Sequence, residues 1–200
     1  MSVEVPSRAW MLPDEPVAVR LMSTIWAGAE GLRDDLQTPQ DVDAWLDAVG
    51  VERAGARATN AEFTKARGLR DAVRRLAAFV TADPSQAAAA ASALGDALGQ
   101  VNAIAAEAPA PALTLRGGHL EQGTQAHVSP VTAGLARVAE DSIGLLGGDG
   151  AARLRACRAP GCVLYFVKTH PRREWCSVAC GNRVRAARHY QRVRSSPSRP

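Results

Sequence analysis

The sequence predicts a mainly α-helical protein with one small β-hairpin, built as a larger helical body and a compact C-terminal module that ends in a basic helix. Three observations carry this. Apolar residues recur at helical spacing over most of the first 150 residues, alanine supplies much of the apolar content while aromatics make up only 4%, and charge divides unevenly along the chain. Residues 1–150 hold 12 Lys and Arg against 19 Asp and Glu, a net −7. Residues 151–200 hold 12 against the single acid Glu174, a net +11, which together give the overall +4. A basic module on an acidic body is the pattern of a segment that meets a polyanion. With 200 residues, 46% hydrophobic and 22% charged, the chain is neither a disordered tail nor a mini-protein that needs disulfide staples.

Residues 1–16, with three prolines, read as an extended lead-in. The helical body spans 17–150. Its first helix is expected from Val17 to about Gly28, with Val17, Leu21 and Ile25 on one face. Thr38 caps a second, Pro39 takes its first position, Val42, Trp45, Leu46 and Val49 are its core anchors, and Gly50 ends it. Thr59 and Glu62 form a capping-box pattern for a third helix that carries Phe63, Leu69, Val73, Leu76 and Phe79 and stops at Asp83-Pro84. An alanine-rich helix follows over Ser85–Glu107, ended by Pro109 and Pro111. Leu113-Thr114-Leu115 and Ala126-His127-Val128 are strand-like runs separated by glycines, a hairpin with a long turn within 112–128. The last body helix starts near Ser129-Pro130 and carries Leu135, Val138, Ile143, Leu145 and Leu146; Gly147–Gly150 then makes a hinge to the module at 151–200.

All four cysteines lie in that module, as Cys157-x4-Cys162 and Cys176-x3-Cys180 separated by 13 residues. Two close pairs of soft sulfur donors, with a loop between them long enough to fold back, suit a tetrahedral structural zinc. In a reducing compartment such a cluster is a metal site before it is two disulfides. Pro160-Gly161 supplies a turn inside the first pair, and Val163–Val167 reads as a strand. Ser177 caps a helix running to about Arg194, whose amino-terminal amides favour thiolate at Cys180. Knuckle, hairpin and ligand-bearing helix together predict a treble-clef-like zinc finger, closed by one structural Zn2+.

The helix beyond the ligands places Arg185, Arg188 and Arg192 on one face, with His189, Arg183 and Arg194 beside them; Lys168, Arg172 and Arg173 extend the basic surface from the preceding loop. At 1.5 Å per residue the helix spans about 27 Å, long enough to lie along a major groove and reach flanking phosphates. Arginine outnumbers lysine 11 to 1 here, which favours bidentate recognition of phosphate or guanine.

Cys157-x4-Cys162, the approach Arg173-Glu174-Trp175-Cys176-Ser177 and then Cys180-Gly181-Asn182-Arg183 resemble the CGNR zinc finger family of bacterial proteins. Leu21-Met22-Ser23-Thr24, the Thr38–Leu46 helix and Leu154-Arg155-Ala156-Cys157 are similar to ABATE, the N-terminal domain that accompanies this finger in proteins assigned to stress-induced transcription regulation. The resemblance implies a zinc-dependent DNA-binding module with Cys157, Cys162, Cys176 and Cys180 as ligands and Gly181, Asn182 and Arg183 completing the signature. Two departures stand out. Lys168-Thr169-His170 replaces an acidic, serine-containing loop, and Val178 stands where methionine is expected.

The function expected is a transcriptional regulator in the bacterial cytoplasm, with duplex DNA as partner. The architecture also admits a homodimer and a small-molecule effector of the helical body. A zinc knuckle associated with RNA or the ribosome, and a thiol-based redox sensor, are the alternatives. Met1–Arg20 has no basic start followed by an apolar run, no stretch reaches membrane-spanning length, and His119 and His127 lack catalytic partners, so neither a targeting signal, a membrane protein nor an enzyme is predicted.

Overall fold

The computed structural model describes residues 12–28, 30–85, 93–125 and 128–195. Among these, six α-helices and three separate two-stranded antiparallel ribbons follow one another, and each ribbon pairs only its own neighbouring strands. Helix α1 (Val17–Met22) leads into β1 (Ile25–Gly28) and β2 (Gly31–Asp34), then α2 (Pro39–Val49), α3 (Asn60–Thr81) and α4 (Leu94–Ala105). Strands β3 (Ala110–Arg116) and β4 (His119–Gln125) precede α5 (Pro130–Gly147); a short 3-10 turn (Ala151–Arg153), β5 (Leu154–Ala156), β6 (Tyr165–Val167) and α6 (Val178–Ser195) complete the chain.

The caps form as their chemistry dictates. Thr38 Oγ1 accepts from the Asp41 amide and Thr59 Oγ1 from the Glu62 amide, while each acidic side chain reaches back to the capping residue's own N–H. Gly50 closes α2 in the left-handed conformation at φ 74°. Glu62 does more than cap. Its carboxylate also accepts from Ser129 Oγ and, at 3.1 Å, from Thr132 Oγ1, so the start of α3 is tied to the start of α5. Burial alone would raise its pKa, yet the hydrogen bonds from Ser129, Thr59 and Thr132 outweigh that and hold the carboxyl below its ordinary value.

Three expectations are corrected. The first helix stops at Met22 rather than near Gly28, because Ser23 and Thr24 hydroxyls donate to the carbonyls of Arg20 and Leu21, each at 2.8 Å, and Ile25 and Trp26 pair with Asp34 and Arg33 instead. Apolar spacing at i and i+8 fits a helix, but two hydroxyl residues back-bonding in series end one. The second hairpin turns tightly through Gly117 (φ 58°) and Gly118 (φ 82°), both left-handed as a two-residue turn requires, and not through a long loop. Its strands start at Ala110 and end at Gln125; Ala126 and His127 lie outside the described residues, as do 86–92 of the predicted alanine-rich helix, whose described part is α4. Finally, Gly147–Gly150 is a hydrogen-bonded turn and no loose hinge. Gly148 N–H donates to Gly144 O at 3.1 Å, and Arg153 and Leu154 amides both donate to Gly150 O at 3.0 Å.

One apolar core runs through both parts of the chain. Trp45, Leu21, Met22, Leu69 and Leu135 are fully buried in the body, and Leu154, Tyr165 and Phe166 of the C-terminal part join the same cluster at 1% exposure. Arg70, also 1% exposed, donates from α3 to Asp34 at 2.5 Å and to Asp71 at 2.9 Å, which seats the β1–β2 ribbon on the helical layer. Among the described residues no helix is long and apolar enough to cross a membrane.

Candidate metal centre and basic helix

The C-terminal part is built on a three-residue ribbon in which Leu154 pairs with Val167 and Ala156 with Tyr165. Between these strands the chain folds into a knuckle. The Cys157 amide donates to Leu164 O at 2.8 Å, the Cys162 amide to Ala159 O at 2.9 Å, and Gly161 takes the left-handed conformation at φ 72° that the turn needs. Ser177 then caps α6 by accepting from the Cys180 amide at 3.2 Å, which fixes Cys180 in the first turn. The four sulfurs thereby converge within 4.8 Å of one another, with Cys162 to Cys176 at 3.8 Å and Cys176 to Cys180 at 3.5 Å.

Those separations discriminate between chemistries. A disulfide needs sulfurs about 2.0 Å apart, and all four cysteines are free thiols. Tetrahedral zinc with bonds of about 2.3 Å sets its sulfurs about 3.8 Å apart along each edge, close to what the cluster shows. The donor set is soft, complete and mostly buried, so the residues fit one closed structural zinc. Among themselves the sulfurs share protons. Hydrogen bonds from Cys162 and Cys176 pull the Cys157 thiol down, while the bonds they make to Cys157 push the Cys162 and Cys176 thiols up. A cation that accepts all four as thiolates removes that conflict.

Each signature residue after Cys180 has a local task. Gly181 faces the Trp175 indole so closely that a Cβ would lie 3.2 Å from its ring, and a larger residue would push the indole back by a few tenths of an ångström. Asn182 accepts from the Arg185 guanidinium, and Arg183 donates to Cys180 Sγ at 3.1 Å, where the sulfur holds the guanidinium's pKa up. Asn182 and the two arginines thus brace the first two turns of α6.

The predicted DNA-facing residues separate into two groups. Arg185, Arg188, His189, Arg192 and Arg194 are exposed on α6, with Arg194 over the Tyr190 ring at 5.7 Å, and Arg172 is exposed on the loop. Arg173 turns inward: it pairs with Glu15 at 2.6 Å, donates to the carbonyls of Val167 and Cys176 at 3.1 Å each, and lies over Phe166 at 4.9 Å. Lys168 is half-buried, its amide paired to Arg153 O at 2.8 Å. Exposed Arg153, Arg155 and Arg158 on and beside β5 add basic surface that the helical pattern of arginines did not single out; the charge count of the module was the signal for them.

The body grips this part through groups that the sequence left unassigned. From α3, buried Arg74 donates to Met22 O at 2.7 Å and to Val163 O at 3.0 Å and lies 5.4 Å over the Tyr165 ring. Tyr165 O–H donates to Asp83 at 2.8 Å, and burial in this contact pushes its phenol up. Glu15 accepts from the Val167 amide at 2.8 Å.

A four-cysteine centre that positions a helix, packed on a helical body, defines a zinc-finger protein of two parts. Residues 153–193 match the family profile of the CGNR zinc finger, and residues 15–149 match that of ABATE, described as "Putative stress-induced transcription regulator". The chain belongs to the ABATE family, with a C-terminal CGNR zinc finger. No curated protein matches it in sequence.

Proposed function

We propose that the protein is a zinc-dependent, DNA-binding transcription regulator of the bacterial cytoplasm, without enzymatic activity, in which a treble-clef-like finger presents α6 to duplex DNA. The observation that carries this reading is the exposed row Arg185, Arg188 and Arg192 on an 18-residue helix whose first turn holds a metal ligand. Such a helix spans about 27 Å and can follow a major groove while its arginines reach phosphates and base edges. Zinc supplies the folding free energy that so small a finger lacks, and the chain's own residues do the rest: Arg183 and Asn182 brace the helix, and the outward arginines bind.

RNA association is the less favoured reading. Tyr165 and Phe166 are buried and Trp175 is half-buried against Gly181, so Tyr190 is the one exposed Phe, Tyr or Trp among the described residues of the finger, with the smaller rings of His170 and His189 the other exposed surfaces for base stacking. The test is a salt titration of binding to duplex DNA. Neutralising roughly six phosphates gives a log-log slope of about −5. Arg188→Ala should lower that slope by about 1, and Cys176→Ser should abolish binding. A slope near zero with one zinc per chain retained refutes the proposal.

A further inference from the structure

A buried carboxylate from the start of the chain reaches the main chain around the metal centre. Glu15 closes a turn by donating its amide to Leu12 O at 3.1 Å, and Leu12 belongs to the core, so the turn is seated on the fold. The Glu15 side chain is 2% exposed. Its Oε2 accepts from the Val167 amide at the end of β6 at 2.8 Å, while Oε1 makes no hydrogen bond and lies 2.6 Å from Arg173 Nη2. A carboxylate taken out of water needs a cation against it, and among the described residues the cation paired with Glu15 is Arg173.

Arg173 in turn directs its donors to main-chain carbonyls. Nη1 donates to Val167 O at 3.1 Å, Nε to Trp175 O at 3.4 Å and Nη2 to Cys176 O at 3.1 Å, with the Phe166 ring under the guanidinium. Val167 ends the strand that follows the first cysteine pair, and Cys176 opens the second pair. One guanidinium therefore closes the excursion 168–175 that returns the second pair to the first. Cys176 is also the link between the pairs, its sulfur 3.8 Å from Cys162 and 3.5 Å from Cys180.

A metal site is tight when its ligands are held in place before the ion arrives, and the groups that hold them act from outside the ligand set. A histidine ligand can be held by its second ring nitrogen. A cysteine has no such atom, so its sulfur is placed by the main chain that carries it. At Cys176 that main chain is pinned by Arg173, and Glu15, itself locked by the Val167 amide, keeps the guanidinium turned to the carbonyls. Without the carboxylate the half-buried guanidinium is free to turn to water.

We infer that Glu15 is a positioning residue of the zinc centre: acting through Arg173, it fixes the main chain at Cys176 and tightens zinc binding, so that seating of the 12–15 turn and metal binding favour each other. The coupling is reciprocal, because two events that share a free energy strengthen one another by the same factor. It rests on the metal centre alone and is independent of DNA binding.

The experiment is a competition titration of zinc against a chromogenic chelator on the full chain, for the wild type, Glu15→Gln, Arg173→Met, the double variant and Glu62→Gln, each shown to be folded by circular dichroism. Glu15→Gln keeps the size of the side chain and an acceptor for Val167 and removes the charge. It is expected to weaken zinc binding roughly 10–100-fold, the range for groups that hold a ligand in place. In the Arg173→Met background the same change should alter affinity by less than about twofold, since its intermediary is gone. Glu62→Gln, whose partners Thr59, Ser129 and Thr132 all lie in the body, should leave zinc affinity unchanged. The inference is overturned by affinity unmoved in Glu15→Gln, by an effect that persists in full without Arg173, or by an equal loss in Glu62→Gln. Hydrogen exchange on the wild type needs no variant. Zinc should slow exchange of the Glu15 amide by at least about tenfold and leave that of Phe63, which donates to Thr59 O, as it was; no slowing at Glu15, or equal slowing at both, overturns it. A wild type that binds no zinc overturns it together with the metal centre, whatever its behaviour on DNA.

Discussion

Replacing Arg74 by methionine tests whether the finger is a fixed part of the fold or a passenger. Arg74 is 4% exposed, and its guanidinium bridges Met22 O of the body and Val163 O of the knuckle while lying over Tyr165. Methionine keeps the apolar stem and removes the bridge. Each hydrogen bond from a charged donor contributes about 1.5–3 kcal/mol, and the ring contact about 0.5–2 kcal/mol. Burial opposes the charge and lowers the arginine's pKa, so its removal returns part of that sum. The net loss is then about 2–4 kcal/mol, which for a chain of this size lowers Tm by roughly 5–15 °C. Thermal melts at saturating zinc, followed by helix ellipticity and tryptophan emission, should show one transition moved down as a unit. A loss below about 0.5 kcal/mol, the range of an ordinary surface change, refutes the reasoning, and so does separate early melting of the finger over an unmoved body transition.

Three further outcomes are expected. Glu62 is held below its ordinary pKa, so its contribution is present above about 4.5 and lost as pH falls through the folded value; wild type should lose more stability than Glu62→Gln between pH 5 and roughly 3 in acid urea titrations, and parallel curves count against the network. Chelating zinc should remove the ellipticity of α6 and restore it on zinc addition with release of protons measurable in weak buffer, because the ligands bind as thiolates; ellipticity indifferent to chelator would show that the finger folds without metal. Gly181→Val should displace Trp175 from its seat and weaken zinc binding by roughly tenfold in a competition titration, whereas Asn182→Ala, which loses one exposed contact to Arg185, should cost far less.

Much of the site was legible because its chemistry is local. Cysteine spacing, the Pro160-Gly161 turn and the Ser177 cap are each decided within a few residues, and the structure brings together all four thiols that the spacing nominated. Thr38, Pro39, Gly50 and the Thr59–Glu62 box were readable for the same reason. Long-range partners were not. Nothing in the extended lead-in marks Glu15 as the acceptor for Val167 and the counter-ion of Arg173, since the pairing crosses more than 150 residues. The β1–β2 ribbon was missed because four-residue strands carry too few residues to show a period, and Ile25 lay in phase with the helix before it. Arg173 belonged by composition to the basic surface; only the position of Glu15 turns it inward.

That division of arginines explains how one small finger can be both anchored and available. Its arginines are not equivalent charges: Arg173 is neutralised by Glu15 and Arg183 is held against the Cys180 sulfur, while Arg185, Arg188, Arg192 and Arg194 stay on the outer side of α6. Where the body's acids meet the finger they are placed inside the contact, as Asp83 on Tyr165 and Glu15 beneath β6, and so do not compete for the outer row. A flexible link would let the acidic body fold back over the basic helix and screen it, because surface charges attract within a Debye length of about 8 Å at physiological salt. The hydrogen-bonded turn at 147–150 and the Arg74 bridge prevent that. Rigid attachment is therefore what keeps Arg185, Arg188, Arg192 and Arg194 facing solvent beside a body of net −7.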